Sequence, residues 1–230
     1  RLGDFDNALL DFESAVNLLS SMNYPSLLVE AYLFWGFEYF SPQRNWAEAK
    51  RVFEEAGKLI DLQPDSYIEE KARLLVGLGE VEIFSGTLSQ AEELLQASYE
   101  LINHKELIWW RPVVEYYLGV MCQKDGQKAQ AEDFFQKSLV SSQEGCPDFN
   151  SLTMLELAEL ASDIQEREKL LEDCILSAQK RSRFVDKVTC LERAGHLLKD
   201  SSNKRLKKLG EKSVVSVLET KNACSSQALQ

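Results

Sequence analysis

Proline and glycine are scarce in this chain, at 5 and 11 residues in 230. A β-rich chain of this length needs many tight turns, and tight turns draw on those two residues, so their scarcity disfavours an all-β fold. Long hydrophobic runs are also missing. No stretch approaches the roughly 18 uncharged apolar residues that a membrane-spanning helix requires, so no membrane span is expected. Cysteine occurs five times, at Cys122, Cys146, Cys174, Cys190 and Cys224, an odd number with no C-x-x-C pair. That disfavours a secreted disulfide framework and favours a reducing compartment. The expected location is the cytoplasm, with the nucleus as the other reducing compartment. The cysteines are read as small buried hydrophobes plus one exposed thiol in the tail. Histidine occurs only as His104 and His196, and neither has Cys or carboxylate neighbours at metal-ligand spacing. The phosphate-cradling glycine loop, the G-x-S-x-G elbow and the H-E-x-x-H pair are absent. The expectation is a chain that is not an enzyme and carries no cofactor and no metal. It begins at Arg1 with no signal-peptide pattern and reads as a piece of a larger protein.

What the chain does have is helical periodicity almost throughout. Apolar residues recur at helical spacing, and breaks fall every 15–20 residues. The pattern predicts helices over about 4–20, 26–41, 46–62, 67–85, 88–103, 112–124, 128–142, 151–163, 166–181, 184–199 and 203–219. Asp65 or Ser66 can cap the helix after Pro64, and Thr87 or Ser89 the next. From Lys221 to Gln230 no period remains, and a disordered tail is expected. Charge divides the chain. Residues 1–178 hold 14 Lys and Arg against 32 Asp and Glu, whereas residues 179–230 hold 12 against 5. Such asymmetry suggests two surfaces with different partners, or one end docking elsewhere in the parent chain. The carboxylate pairs Glu54-Glu55, Glu69-Glu70, Glu92-Glu93 and Glu132-Asp133 fall on helix faces away from the apolar stripe and read as solvated.

Internal repetition decides the fold. The segments at 3–16, 45–59, 86–101 and 126–139 share a small residue, a large one four later and a small one three beyond. The sets are Ala8, Phe12, Ala15; Ala49, Phe53, Ala56; Ala91, Leu95, Ser98; and Ala131, Phe135, Ser138. Their leading alanines are 41, 42 and 40 residues apart. Residues at i, i+4 and i+7 share one helix face. Two small residues there let a second helix approach closely, and the large one fills the gap. The preceding helices carry Gly36, Gly79 and Gly119, which lie 13, 12 and 12 residues before the alanines. A glycine inside a helix costs about 1 kcal/mol relative to alanine. Its return at equal phase implies close contact with the second helix of each pair. Gly3 occupies the turn position, so residues 4–20 read as a second helix with no first helix before it.

On these residues the chain resembles the tetratricopeptide repeat family. The pair with Tyr32, Trp35, Gly36, Tyr39, Trp46, Ala49, Phe53 and Ala56 matches best. The long period is similar to that of kinesin light chains, bacterial signal-transduction ATPases and the regulatory tails of some soluble cyclases. The resemblance implies an all-α, right-handed α-α superhelix (a solenoid of about eleven antiparallel helices). It is good over residues 1–142 and degenerate over 151–220, where the last pair keeps Gly195 and little else. Residues 1–220 read as one helical repeat domain.

The resemblance also implies a function. It predicts a protein–protein interaction scaffold that binds a helix or peptide on the concave surface of its first helices. The alternative is a regulatory or sensor region of a larger multidomain enzyme, such as a signal-transduction ATPase or soluble cyclase. The expected partner is a separate protein or a neighbouring domain of the parent chain. Projected onto this sequence, the concave face holds Leu33, Phe34, Phe37 and Phe40, then Val76, Glu80 and Ile83, then Tyr116, Tyr117, Val120 and Lys124. Glu156 and Glu159 follow. Aromatic side chains are favoured interface anchors. The positions that hold a chaperone's C-terminal carboxylate in related proteins are here Leu33, Phe34, Val76 and Gly77, so no chaperone tail is expected. Trp109 and Trp110, before Pro112, are read as capping the groove between adjacent repeats. A second surface is suggested by the basic run of Lys180, Arg181 and Arg183, then Lys204, Arg205, Lys207, Lys208 and Lys212. Only Phe184 interleaves with it, and a nucleic-acid surface would need more aromatics, so nucleic acid is not the expected partner.

Overall fold

The computed structural model describes the backbone of residues 5–180 and 184–227, and side chains over 7–180 and 186–219. Gly3, Arg181 and Arg183 lie outside the described residues. Eleven α-helices make up nearly all of what is described: α1 (Phe5–Met22), α2 (Pro25–Trp35), α3 (Trp46–Leu62), α4 (Ile68–Ser85), α5 (Leu88–His104), α6 (Arg111–Lys124), α7 (Lys128–Ser141), α8 (Asn150–Leu160), α9 (Ile164–Lys180), α10 (Phe184–Leu198) and α11 (Lys204–Gln227). No strand occurs among the described residues, and none of the helices is long and apolar enough to cross a membrane.

Local chemistry sets many of the boundaries. Pro25 and Pro112 stand in the first turns of α2 and α6, where a missing N–H costs nothing. Asn45 caps α3 by accepting from the Glu48 N–H at 3.4 Å, and Thr87 caps α5 by accepting from Gln90 at 3.3 Å. Gly126, at φ +78°, supplies the left-handed turn between α6 and α7. The expected cap on α4 is different. Pro64, Asp65 and Ser66 form a single 3-10 turn, and Tyr67 leads into the helix without a side-chain cap. The tail also differs from expectation, because α11 continues from Lys221 to Gln227. Extending an existing helix is far cheaper than starting one.

Each helix packs on the next from α1 to α11, and alternate helices touch as well: α2 with α4, α4 with α6, α8 with α10, and α9 with α11. The recurring glycines explain how the pairs close. A Cβ at Gly36 would lie 2.3 Å from the Phe53 ring, and one at Gly77 would lie 2.6 Å from the same ring. Phe53 is thus seated between two glycines of successive first helices. The same relation holds for Gly79 and Leu95 at 2.7 Å, and for Gly119 and Phe135 at 2.5 Å. Ala49, Ala56, Ala91 and Ala131 are fully buried beside these seats. Ser98 and Ser138 add a polar tie, each donating at 2.8 Å to a carbonyl early in the preceding first helix, Ala72 and Pro112 respectively. The last pair uses a closer version. A Cβ on Gly195 would meet the Gly210 carbonyl oxygen at 2.9 Å, so α10 and α11 cross backbone to backbone. Ala8 and Ala15 on α1 stay partly exposed.

Two buried clusters form the core, one around α2 and α3 and one from α4 through α11. Phe37 packs against both. Four buried cysteines, Cys122, Cys146, Cys174 and Cys190, are unbridged and sit in the larger cluster. The Cys224 side chain lies outside the described residues.

Candidate functional site

The first helices carry side chains on a face that their partner helices do not cover, and those side chains meet in one cleft of about 320 Å³. Phe37, Glu80, Tyr116, Tyr117, Val120 and Lys124, all expected on the concave face, line it together with Glu156. Residues from α4, α6, α8 and α10 form its floor and walls. The segment after α2 closes one side with Ser41, Pro42 and Arg44.

That segment has an unusual backbone. Gly36–Phe40 is a π-helical turn, in which the Ser41 N–H donates to the Gly36 carbonyl at 2.9 Å. Such turns are rare and concentrate at functional sites. Here the wider turn leaves Phe37 with its ring 5.0 Å from Phe53 and still on the cleft wall. Arg44 follows at φ +56°.

The cleft has two chemically different ends. At one, the Trp46 and Phe84 rings stack at 5.0 Å and 9°, and the Lys124 ammonium lies 4.4 Å above Phe84. Lys124 also donates to the Ile83 carbonyl at 3.1 Å, which fixes its head. Phe84 is 42% exposed, so this aromatic step is open to a ligand. At the other, Glu156 and Asp186 from α8 and α10 are buried, and Glu80, one turn before Phe84 on α4, is buried too. Arg193 bonds Glu156 at 3.0 Å and Glu159, beside the cleft, at 2.6 Å. Burial pushes the Glu156 carboxyl above its ordinary range despite the pull of Arg193. Burial, joined by the charges of Glu156 and Asp186, pushes the Tyr116 hydroxyl well up. Burial alone would lower the Arg193 guanidinium, but Glu156 and Glu159 outweigh it and keep it charged.

The remaining expected residues lie elsewhere. Leu33 and Val76 have no exposure and belong to the core, so neither can touch a partner. Their side chains are part of the packing between helices. Phe40 and Ile83 are also buried and line no part of the cleft. Phe34 is 50% exposed but belongs to a separate cluster, where the Arg73 guanidinium lies between the Phe34 ring at 5.4 Å and the Trp110 ring at 5.0 Å. Arg73 forms a two-pronged bond to Glu30 at 2.6 and 2.8 Å, and the Trp110 indole N–H donates to Glu69 at 2.9 Å. Trp110 therefore joins its turn to α4, while Trp109 stays exposed. On the second expected surface, Lys204, Lys207 and Lys208 are exposed, but Arg205 is engaged by both oxygens of Glu172 at 2.6 Å. This removes one cation from the basic run. His104 and His196 are exposed on α5 and α10, and no group of three or more metal-ligating side chains occurs among the described residues.

Sequence reasoning missed Trp46, Phe84, Asp186 and Arg193. Trp46 and Phe84 stand at opposite ends of different helices, 38 positions apart, and no local pattern links them. Arg193 and Asp186 sit in the degenerate region. Their signal would have been their phase on α10, which matches that of Glu156 on α8.

No protein-family model matches the chain, and no curated protein matches it significantly.

Proposed function

We propose that the chain is a tetratricopeptide-like scaffold, a right-handed α-α superhelix of antiparallel pairs. Its cleft holds a helix or peptide of a partner protein, or a neighbouring domain of its own parent chain. The observation that carries this reading is the convergence of five first helices or their ends on one open cleft. That cleft combines an exposed aromatic step with fixed charges. Aromatic anchors beside preorganised charges are what protein interfaces use for affinity and register. The superhelical reading is supported by the seats at Phe53, Leu95 and Phe135 and by the contacts between alternate helices. Such contacts let each pair bury a face that it cannot bury alone.

The test compares partner retention by the wild type, by Phe84→Asp in the cleft and by Val140→Asp, an exposed control that does not line it. Loss from Phe84→Asp alone supports the cleft. Equal retention by all three moves binding to another surface.

A further inference from the structure

The lining sets three cations, Arg44, Lys124 and Arg193, against three carboxylates, but the six are not equally engaged. The carboxylates are buried and already served. Arg193 bonds Glu156 at 3.0 Å, and Glu80 and Asp186 each have a partner. Arg193 is itself divided between Glu156 and Glu159. Arg44 and Lys124 differ. Both are exposed, and neither pairs with a carboxylate among the described residues. The Lys124 ammonium gives one of its three donors to the Ile83 carbonyl at 3.1 Å and lies 4.4 Å over Phe84, which holds it in place. Arg44 stands two residues before Trp46 at φ +56°, a conformation uncommon outside glycine. On the same wall, Ser41 is 7% exposed, and its hydroxyl has no hydrogen-bond partner among the described residues. Buried polar groups are normally satisfied. The cleft therefore has donors that lack an acceptor, beside the apolar step of Trp46 and Phe84. At about 320 Å³ it takes one or two large side chains and not the body of a helix. The excess of 32 acidic over 14 basic residues across 1–178 opposes an acidic segment at long range. At physiological salt, exposed charges more than about 8 Å apart are largely screened, so the groups in contact decide.

We propose that the occupant is a segment of a partner polypeptide presenting an Asp or Glu beside a bulky apolar residue. The carboxylate accepts from Arg44 and Lys124, and the apolar neighbour lies on the Trp46–Phe84 step. This rests on the cleft being the partner site, and the experiment separates the two claims.

A phage-displayed random dodecapeptide library is panned on the 230-residue chain, and selected peptides are measured by fluorescence anisotropy. The expected result is enrichment of Asp or Glu next to an aromatic or large aliphatic residue. Affinity should fall about tenfold or more in Arg44→Gln/Lys124→Gln, the scale of losing a hydrogen bond to a charged group. Circular dichroism checks that the variant is folded. An amide in place of the peptide's carboxylate probes the same contact on the wild-type protein and should weaken binding to a similar degree. Phe84→Ala removes the apolar step without adding a charge and should also weaken binding. Peptides that lose affinity to Phe84→Ala but show no acidic preference, or that tolerate both the amide and Arg44→Gln/Lys124→Gln, overturn the acidic anchor and leave the cleft standing. If every selected peptide binds Phe84→Ala as well as wild type, or the library yields none, both claims are overturned.

Discussion

Replacing Gly119 with alanine tests the packing that underlies the whole stack. In an ordinary exposed helix this change stabilises by about 1 kcal/mol. Here the new methyl carbon would lie 2.5 Å from Phe135 Cε1 and 2.6 Å from Cδ1. Carbon atoms in contact prefer about 3.5–4.0 Å, so the ring must move by roughly an ångström. It has nowhere to go, since Phe135 is fully buried and the Tyr116 ring is 5.9 Å away. Overpacking of this kind costs about 1–3 kcal/mol. Set against the propensity gain, the net loss should be up to about 2 kcal/mol. For a chain of this size each kcal/mol lowers Tm by about 2–4 °C. Thermal and urea unfolding followed by far-UV circular dichroism read the change. The sign should reverse when Phe135→Ala is already present, because the methyl then enters a void. A double-mutant cycle should therefore give a coupling of about 2 kcal/mol. Additive effects, or a stabilising Gly119→Ala in the wild-type background, would refute the seating of Phe135 on Gly119.

The remaining predictions concern buried polar groups. Burial pushes the Glu115 carboxyl up, against its bonds from Ser141 at 2.5 Å and Tyr99 at 3.5 Å. A raised folded-state value means that this group's stability contribution is full below its ordinary value and is lost as pH rises through the raised one. Glu115→Gln should then raise Tm at pH 7 and leave it nearly unchanged at about pH 4. An equal effect at both would refute the burial argument. Ser98→Ala removes the bond to the Ala72 carbonyl and should cost about 1 kcal/mol in urea unfolding, with Ser138→Ala similar. No change in either would mean that the recurring serine is only a small residue.

The second helices were legible down to single side chains, and the first helices were not. In α3, α5 and α7 one stripe is buried and the rest is wet, so the small–large–small spacing names the contacts directly. In α6 every residue from Pro112 to Cys122 is buried. A helix that is apolar all round carries no phase, and its open face cannot be picked from periodicity. Leu33 and Val76 stand on α2 and α4, whose sequences are also apolar on more than one side, and both read as surface residues yet proved to be core. Glu80, Glu82, Glu115 and Glu156 are buried, yet a single Glu on a helix gives no sign of burial. Each is compatible with the solvated faces where Glu54, Glu92 and Glu132 lie. The π turn at Gly36–Phe40 has no compositional mark, and it helps place the cleft wall.

The central claim is that a partner polypeptide lies across the first helices. It is tested most directly by photo-crosslinking, with p-benzoyl-phenylalanine in place of Phe84 at the cleft mouth and of Val140 on the outer surface. The account expects the bound polypeptide to crosslink from position 84 and not from 140. Crosslinks from 140 with none from 84 would contradict it.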